Sequence, residues 1–201
     1  GLELIKAILK MKVDLLWFAG IGTYIKHPKE THSHVGDPGN DSVRIDSSDC
    51  QAQVIGEGAN LAVTYDARLD LGIKKTALNS DAIDNSAGVN MSDYEVNLKI
   101  LLQSLLLSGD ISSIKARNQS LSDMTGAVTD LVLLNNRAQH RLISLDSIES
   151  SVSFSRFMKL LLYLQSHQLI DASFVPSQEI MNHWKERKKP FPRAFLATLQ
   201  A

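Results

Sequence analysis

The groups in this chain best placed to do chemistry stand in two short runs. The first is Val54-Ile55-Gly56-Glu57-Gly58-Ala59-Asn60; the second, Asn85-Ser86-Ala87-Gly88-Val89-Asn90-Met91-Ser92, sets its first amide 25 positions after Asn60. Each has the composition of a strand running into a tight turn. Glycine and alanine let backbone approach a ligand closely, and asparagine donates and accepts at one place. Two such turns on adjacent strand ends would build one crevice of the kind that takes a nucleotide. Ser92, with Asp93, Tyr94 and Glu95, reads as a capping box that opens a helix. A capping serine accepts from the helix backbone and keeps its own O–H to donate. A carboxylate placed there would also meet the positive end of the helix. On that residue alone, a cap without a ligand is the better explanation of Ser92; the whole motif reverses the preference.

These residues resemble the amino-acid dehydrogenases of the glutamate dehydrogenase type. That family carries an E-G-A-N turn and, at a similar separation, an N-A-G-G-V-x-x-S turn, with an aspartate four positions before the second amide, where Asp81 stands here. The stretches Asp14-Leu15-Leu16-Trp17-Phe18-Ala19-Gly20-Ile21-Gly22-Thr23-Tyr24 and Asp81 to Val89 are similar to the large bacterial NAD-specific glutamate dehydrogenases. The resemblance covers residues 4–102 specifically and is looser beyond. It implies that Asn60, Asn85, Gly58, Ala59, Ala19 and Gly20 contact NAD. It also implies that Ser92 binds the side-chain carboxylate of glutamate and that Val89 lines the substrate pocket. Leu61-Ala62 replaces a Gly-Pro of shorter relatives, Ser86-Ala87 replaces Ala-Gly, and Asp93 is an acid the family does not usually carry. The family's catalytic lysine and aspartate, and its glycine-rich phosphate turn, belong upstream of these motifs and have no counterpart here. The chain alone is therefore expected to be inactive.

The elements that must position these groups follow from apolar spacing. Residues 2–12 repeat at helical intervals; Val13 to Phe18 is a short buried-strand run ending in Ala19-Gly20. Gln51 to Ile55 and Ala77 to Ile83 predict two further strands, with a weaker helix over 64–75 between them. Strand, helix, strand with short connections predicts parallel pairing in an α/β layer. Ala19-Gly20-Ile21-Gly22 lacks the third glycine of a dinucleotide fingerprint and reads as a tight turn. After the helix opened by Ser92, Ser108-Gly109-Asp110 is a break, and the remainder is helical: Ile114 to about Leu142, Ser147 to His167, and Gln178 to Arg187 capped by Ser177. Pro190 and Pro192 precede a last helix. The expected fold is thus a partial parallel-sheet dinucleotide-binding layer over 1–107, then an all-α region over 108–201.

Composition sets the outer limits. Apolar residues at 44% and charged residues at 21% place the chain among ordinary soluble globular proteins, and a net charge of −1 gives no field for nucleic acid or anionic membrane. Residues 1–107 carry −4 and residues 108–201 carry +3. Lys185-Glu186-Arg187-Lys188-Lys189 supplies the basic excess, which reads as a solvated helix end. The lone Cys50 excludes an internal disulfide and fits a reducing compartment. His27, His32, His34 and Asp37 fall in a polar segment, where histidines without a second ligand cluster are normally solvated rather than metal-bound. The opening without methionine, directly in a helical pattern, leads us to expect a piece of a longer polypeptide.

The expected role follows from the resemblance. It is one wall of a cytoplasmic NAD-dependent enzyme that oxidatively deaminates L-glutamate to 2-oxoglutarate and ammonia, acting with the rest of its parent polypeptide as a homo-oligomer. Two alternatives stand beside it: a helical interaction module without cofactor, and a dehydrogenase for a different amino acid.

Overall fold

The computed structural model describes residues 1–74, 76–187 and 189–200. Two compact units account for the chain: residues 1–84 with 141–201, and residues 85–140.

In the first unit, helix α1 (Leu2–Leu9) leads to strand β1 (Leu15–Phe18). β1 pairs in parallel with β4 (Val54–Glu57), in the register Leu15 with Val54 to Phe18 with Glu57. Between them run β2 (Ile25–Lys26), helix α2 (His32–Val35) and β3 (Ile45–Asp46), and β2 pairs in parallel with β3. Parallel pairing matches the expectation from sequence, although the second strand starts at Val54 rather than Gln51. The third predicted strand shrinks to one bridge between Val54 and Ala77. The Ser80 carbonyl accepts from the Ile83 and Asp84 N–H groups and turns the following residues into helix α4 (Asp81–Asp84). Local turn chemistry at Asn79-Ser80 outweighs the apolar pattern there.

Helix α3 (Tyr65–Ile73) starts at Thr64, whose hydroxyl accepts from the Ala67 N–H and donates to Glu30. One face of α3 (Ala67, Leu71) packs with Phe18, Ile25, Ile45 and Ile55 under the sheet. Its other side (Leu69) joins a second core built from Ile143, Phe157, Leu161, Trp184, Phe191 and Phe195. The rings of Trp184, Phe191 and Phe195 lie with centroids 5.2–5.3 Å apart, an arrangement favourable for aromatic packing. This second core is formed by the end of α6 (Ile114–Val152), α7 (Phe154–Ser166), α8 (Gln178–Arg187) and α9 (Arg193–Gln200). Ser177 caps α8 as its sequence predicts, its hydroxyl accepting from the Ile180 N–H.

The second unit is helical. It holds α5 (Ser86–Ser108) and the first part of α6, joined through Gly109, which takes the left-handed conformation (φ 89°) that ends α5. The mixed architecture, helix-rich with a small parallel sheet and helical after residue 108, agrees with the coarse fold class. One local expectation fails: α5 begins at Ser86, not at Ser92, so the capping box lies six residues inside a helix already under way. Among the described residues no helix is long and apolar enough to cross a membrane.

Candidate functional site

The first motif is built at the shared end of two strands. Phe18 and Glu57 are register partners, and the Gly58 N–H donates to the Phe18 carbonyl at 2.8 Å. Ala19-Gly20 and Gly58-Ala59-Asn60 therefore leave the same end of the sheet side by side. Ala19, Gly20, Gly58 and Asn60 are exposed. A Cβ added at Gly20 would meet no atom within 4 Å, so backbone there is open to an incoming group. This is the carboxyl end of parallel strands, where open α/β sheets take their ligands.

The glycines of the motif have a second task. A Cβ on Gly56 would lie 2.6 Å from the Trp17 ring, and one on Gly58 would lie 2.8 Å from it. Neither glycine has a positive φ. Both glycines leave room for the indole rather than serving backbone freedom.

Glu57, the last residue of β4, does not face solvent. It is 1% exposed, and its Oε1 accepts from the Ala62 N–H at 2.9 Å and from Arg68 Nη2 at 3.0 Å. Its Oε2 accepts from Arg68 Nη1. Burial pushes the Glu57 carboxyl up, with Arg68 opposing that shift. Arg68 Nη1 also donates to the Asn79 carbonyl at 3.0 Å, and Asp81 stands 3.7 Å from Nη2. The Asp81 Oδ2 accepts from the Leu61 N–H at 2.9 Å, and Asp84 accepts from the Glu57 N–H at 3.1 Å. Arg193 Nε completes the group by donating to the Asn79 side-chain oxygen at 2.6 Å.

This network explains one departure from the resembling pattern. Leu61 holds φ 72°, a conformation that favours the glycine of shorter relatives. Ala62 supplies an N–H to Glu57 that proline would lack.

The second motif lies at the start of α5, in the second unit. Asn85 is the N-cap residue, and its Oδ1 lies so close to Gly88 that a Cβ there would be 2.8 Å away. Ser86 is buried, and its hydroxyl accepts from Asn136 Nδ2 at 2.9 Å. That bond accounts for a serine where shorter relatives have alanine. Val89 is exposed in the first turns of α5. Ser92 corrects the sequence expectation: its hydroxyl donates to the Gly88 carbonyl at 3.2 Å, one turn back. Inside a helix a serine satisfies itself this way, so its donor is committed and it caps nothing.

The polar segment that holds His27, His32 and Asp37 is tied by its own hydrogen bonds. Asp37 accepts from the Thr23 N–H at 2.8 Å and from Asn40 at 2.7 Å, and these bonds hold its carboxyl below the usual range. His32 Nδ1 lies 2.7 Å from the Arg44 guanidinium, and His27 Nδ1 accepts from the Lys29 N–H. Among the described residues no group of three potential ligands is placed to hold a metal ion. In the basic run at 185–189, Lys188 and the Arg187 side chain lie outside the described residues; Lys189 donates to the Ile73 carbonyl at 3.4 Å.

Sequence reasoning missed Arg68, Asn79, Arg193 and Trp17. A signal existed for Arg68, which interrupts the run Ala67-Arg68-Leu69-Asp70-Leu71 on a helix with both faces covered. A charge in such a place needs a buried partner. Nothing comparable marks Arg193, which stands 114 residues from Asn79 in sequence.

Comparison with known proteins shows the family to which the chain is similar. Residues 1–146 match the family described as bacterial NAD-glutamate dehydrogenase, catalytic domain. A protein of Pseudomonas aeruginosa named NAD-specific glutamate dehydrogenase is 43% identical over 199 residues, which are 98% of this chain and 12% of that protein. Proteins of the same name from Halomonas elongata (43% identical, 88% of this chain, 11% of that protein) and Mycobacterium tuberculosis (48%, 70% and 9%) are similar. The chain spans about an eighth or less of the length of these relatives.

Proposed function

We propose, from the premise that this chain belongs to the bacterial NAD-glutamate dehydrogenase catalytic-domain family, that it supplies one wall of the cofactor site in an enzyme converting L-glutamate to 2-oxoglutarate and ammonia. The observation that carries the proposal is the side-by-side exit of Ala19-Gly20 and Gly58-Ala59-Asn60 from two paired parallel strands. The open backbone at Gly20 and the exposed amide of Asn60 fit a planar amide-bearing ring with its ribose. NAD, when bound, supplies the hydride acceptor. The chain's own residues bind and orient: Gly58, Ala59 and Asn60 on one turn, Ala19 and Gly20 on the other, and Asn85 at the head of α5. The resemblance assigns the second motif to the binding groups of the same enzyme. Val89 and Ser92 then form the substrate side, and Ser92 must rotate its proton away from the Gly88 carbonyl to meet a carboxylate.

Proton transfer is assigned to the rest of the parent polypeptide, since the lysine and aspartate that the resemblance requires stand outside these residues. Exposed apolar residues on α1 (Leu4, Ile8) and α5 (Val96, Ile100) support burial against that remainder. A cytoplasmic homo-oligomer is the proposed working form. The test is NADH formation by the full-length enzyme with L-glutamate, set against L-leucine and against NADP, and by residues 1–201 alone. We expect turnover with glutamate and NAD in the full-length enzyme and none from the isolated chain. Preference for leucine, or glutamate-dependent turnover by the isolated chain, contradicts the assignment.

A further inference from the structure

We propose that Arg68, through its buried fork onto Glu57, is a positioning residue that sets the 58–61 turn for the cofactor; the inference rests on the function proposed above. Glu57 ends β4, and its own side chain reaches forward to the Ala62 N–H, so one carboxylate ties both ends of the turn together. Asp81 holds the last residue of the turn through the Leu61 N–H. Leu61 sits at φ 72°, which an unrestrained leucine leaves readily. The turn is thus held from inside the protein, while Gly58 and Asn60 face outward. Arg68 joins the parts. It forks both Glu57 oxygens, so Oε1 keeps facing Ala62, and it ties the strand end to the Asn79 carbonyl and to Asp81.

Stability alone does not account for this arrangement. Desolvating Glu57 (1% exposed) and Arg68 (3% exposed) offsets much of their attraction, and an apolar pair of equal volume packs as well. An apolar pair could not accept from Ala62, hold Asn79 or neutralise Asp81. Geometry of the turn is what the charges supply, and small displacements at a binding turn are expensive in affinity.

The experiment uses the full-length enzyme with three changes: Arg68→Met, Arg68→Met with Glu57→Gln, and Arg68→Lys. Thermal unfolding, the dissociation constant for NADH, and KM for NAD and for glutamate are measured on each. Arg68→Met leaves Glu57 charged, buried and alone, so the melting temperature falls. The double change removes that charge and regains most of the melting temperature. It leaves a neutral amide at position 57 that is free to flip away from the Ala62 N–H, and the Asn79 carbonyl has lost its bond to Arg68. Weakening of NAD(H) of about tenfold or more therefore persists in the double variant, with a smaller change in KM for glutamate, and Arg68→Lys recovers part of the affinity. If NADH affinity returns together with the melting temperature, or if Arg68→Met leaves KM for NAD unchanged, Arg68 is a structural residue only and the inference is overturned. Should Arg68→Met fail to fold, the double variant and Arg68→Lys decide the question in the same way. Wild-type enzyme is read first: failure of the wild type to bind NADH overturns the proposed function and this inference with it, whereas normal wild-type binding isolates the clamp as what is being tested.

Discussion

Gly56→Ala measures what the glycines of the first motif are for. A Cβ at position 56 would stand 2.6 and 2.7 Å from two carbons of Trp17, where carbon atoms normally keep about 3.5–4.0 Å apart. The ring must retreat by about 1 Å, which forfeits roughly a quarter to a half of its attraction to the strand. Trp17 is 57% exposed, so its covered part is of order 80 Å² and contributes about 2 kcal/mol at 25 cal/mol per Å². The loss is then about 0.5–1 kcal/mol. Replacing glycine by alanine at a permitted φ returns a similar ~0.5–1 kcal/mol by restricting the unfolded chain. In the native background Gly56→Ala is therefore close to neutral. In a Trp17→Ala background the penalty disappears and the same change stabilises by about 0.5–1 kcal/mol, a coupling well within the range of touching residues. Urea unfolding of the four proteins, followed by circular dichroism, gives the cycle. Equal effects of Gly56→Ala in both backgrounds would show that the indole does not lie on the glycine and would refute the explanation.

Three further outcomes are expected. The depressed carboxyl of Asp37 contributes stability that is present above its unfolded value of 3.8 and is lost as pH falls through the lower folded value; Asp37→Asn should flatten acid unfolding in that window, and an unchanged acid limb would count against the Thr23 and Asn40 bonds. Burial pushes the Tyr65 phenol up to about 12, and its hydroxyl donates to the Phe174 carbonyl at 3.0 Å. The fold therefore loses stability as pH rises from 10 to about 12, and ultraviolet titration should show a late phenol step that vanishes in Tyr65→Phe. Ser86→Ala removes the acceptor for Asn136 and should cost about 1 kcal/mol, read as a shift in the urea midpoint; a stabilised variant would mean that the serine is merely tolerated.

What could be read from the sequence was chiefly what local chemistry decides. Gly109 ends α5, Ser177 starts α8, and Pro192 stands just before α9, each for a reason confined to a few neighbouring residues. Parallel pairing was legible in the strand, helix, strand order of 51–55, 64–75 and 77–83, although the ladder that forms joins β1 to β4 and leaves Ala77 a single bridge to Val54. Ser92 misled because its four residues satisfy the capping pattern while Asn85, seven positions earlier, is the N-cap residue of the same helix. Gly88 and β-branched Val89 are weak helix formers, so nothing local announces helix across 86–91. Ala77 to Ile83 misled in the opposite direction, since Leu78 and Ile83 pack into the two cores without a strand ladder. Of the Glu57–Arg68–Asn79–Arg193 network, Arg68 alone left a signal; the partners meet only through the fold, Arg193 from 114 residues beyond Asn79. The family resemblance drew attention to Glu57-Gly58-Ala59-Asn60 as a unit; only the structure separates Glu57, turned inward to hold the turn, from Gly58 and Asn60, turned outward.

Amide hydrogen exchange of the full-length enzyme, with and without saturating NAD, reads where the cofactor meets this chain. Backbone N–H groups of 19–22 and 58–61 should exchange more slowly with NAD bound. Protection confined to other segments, with 19–22 and 58–61 exchanging at the same rate in both states, would contradict the placement of the cofactor at these strand ends.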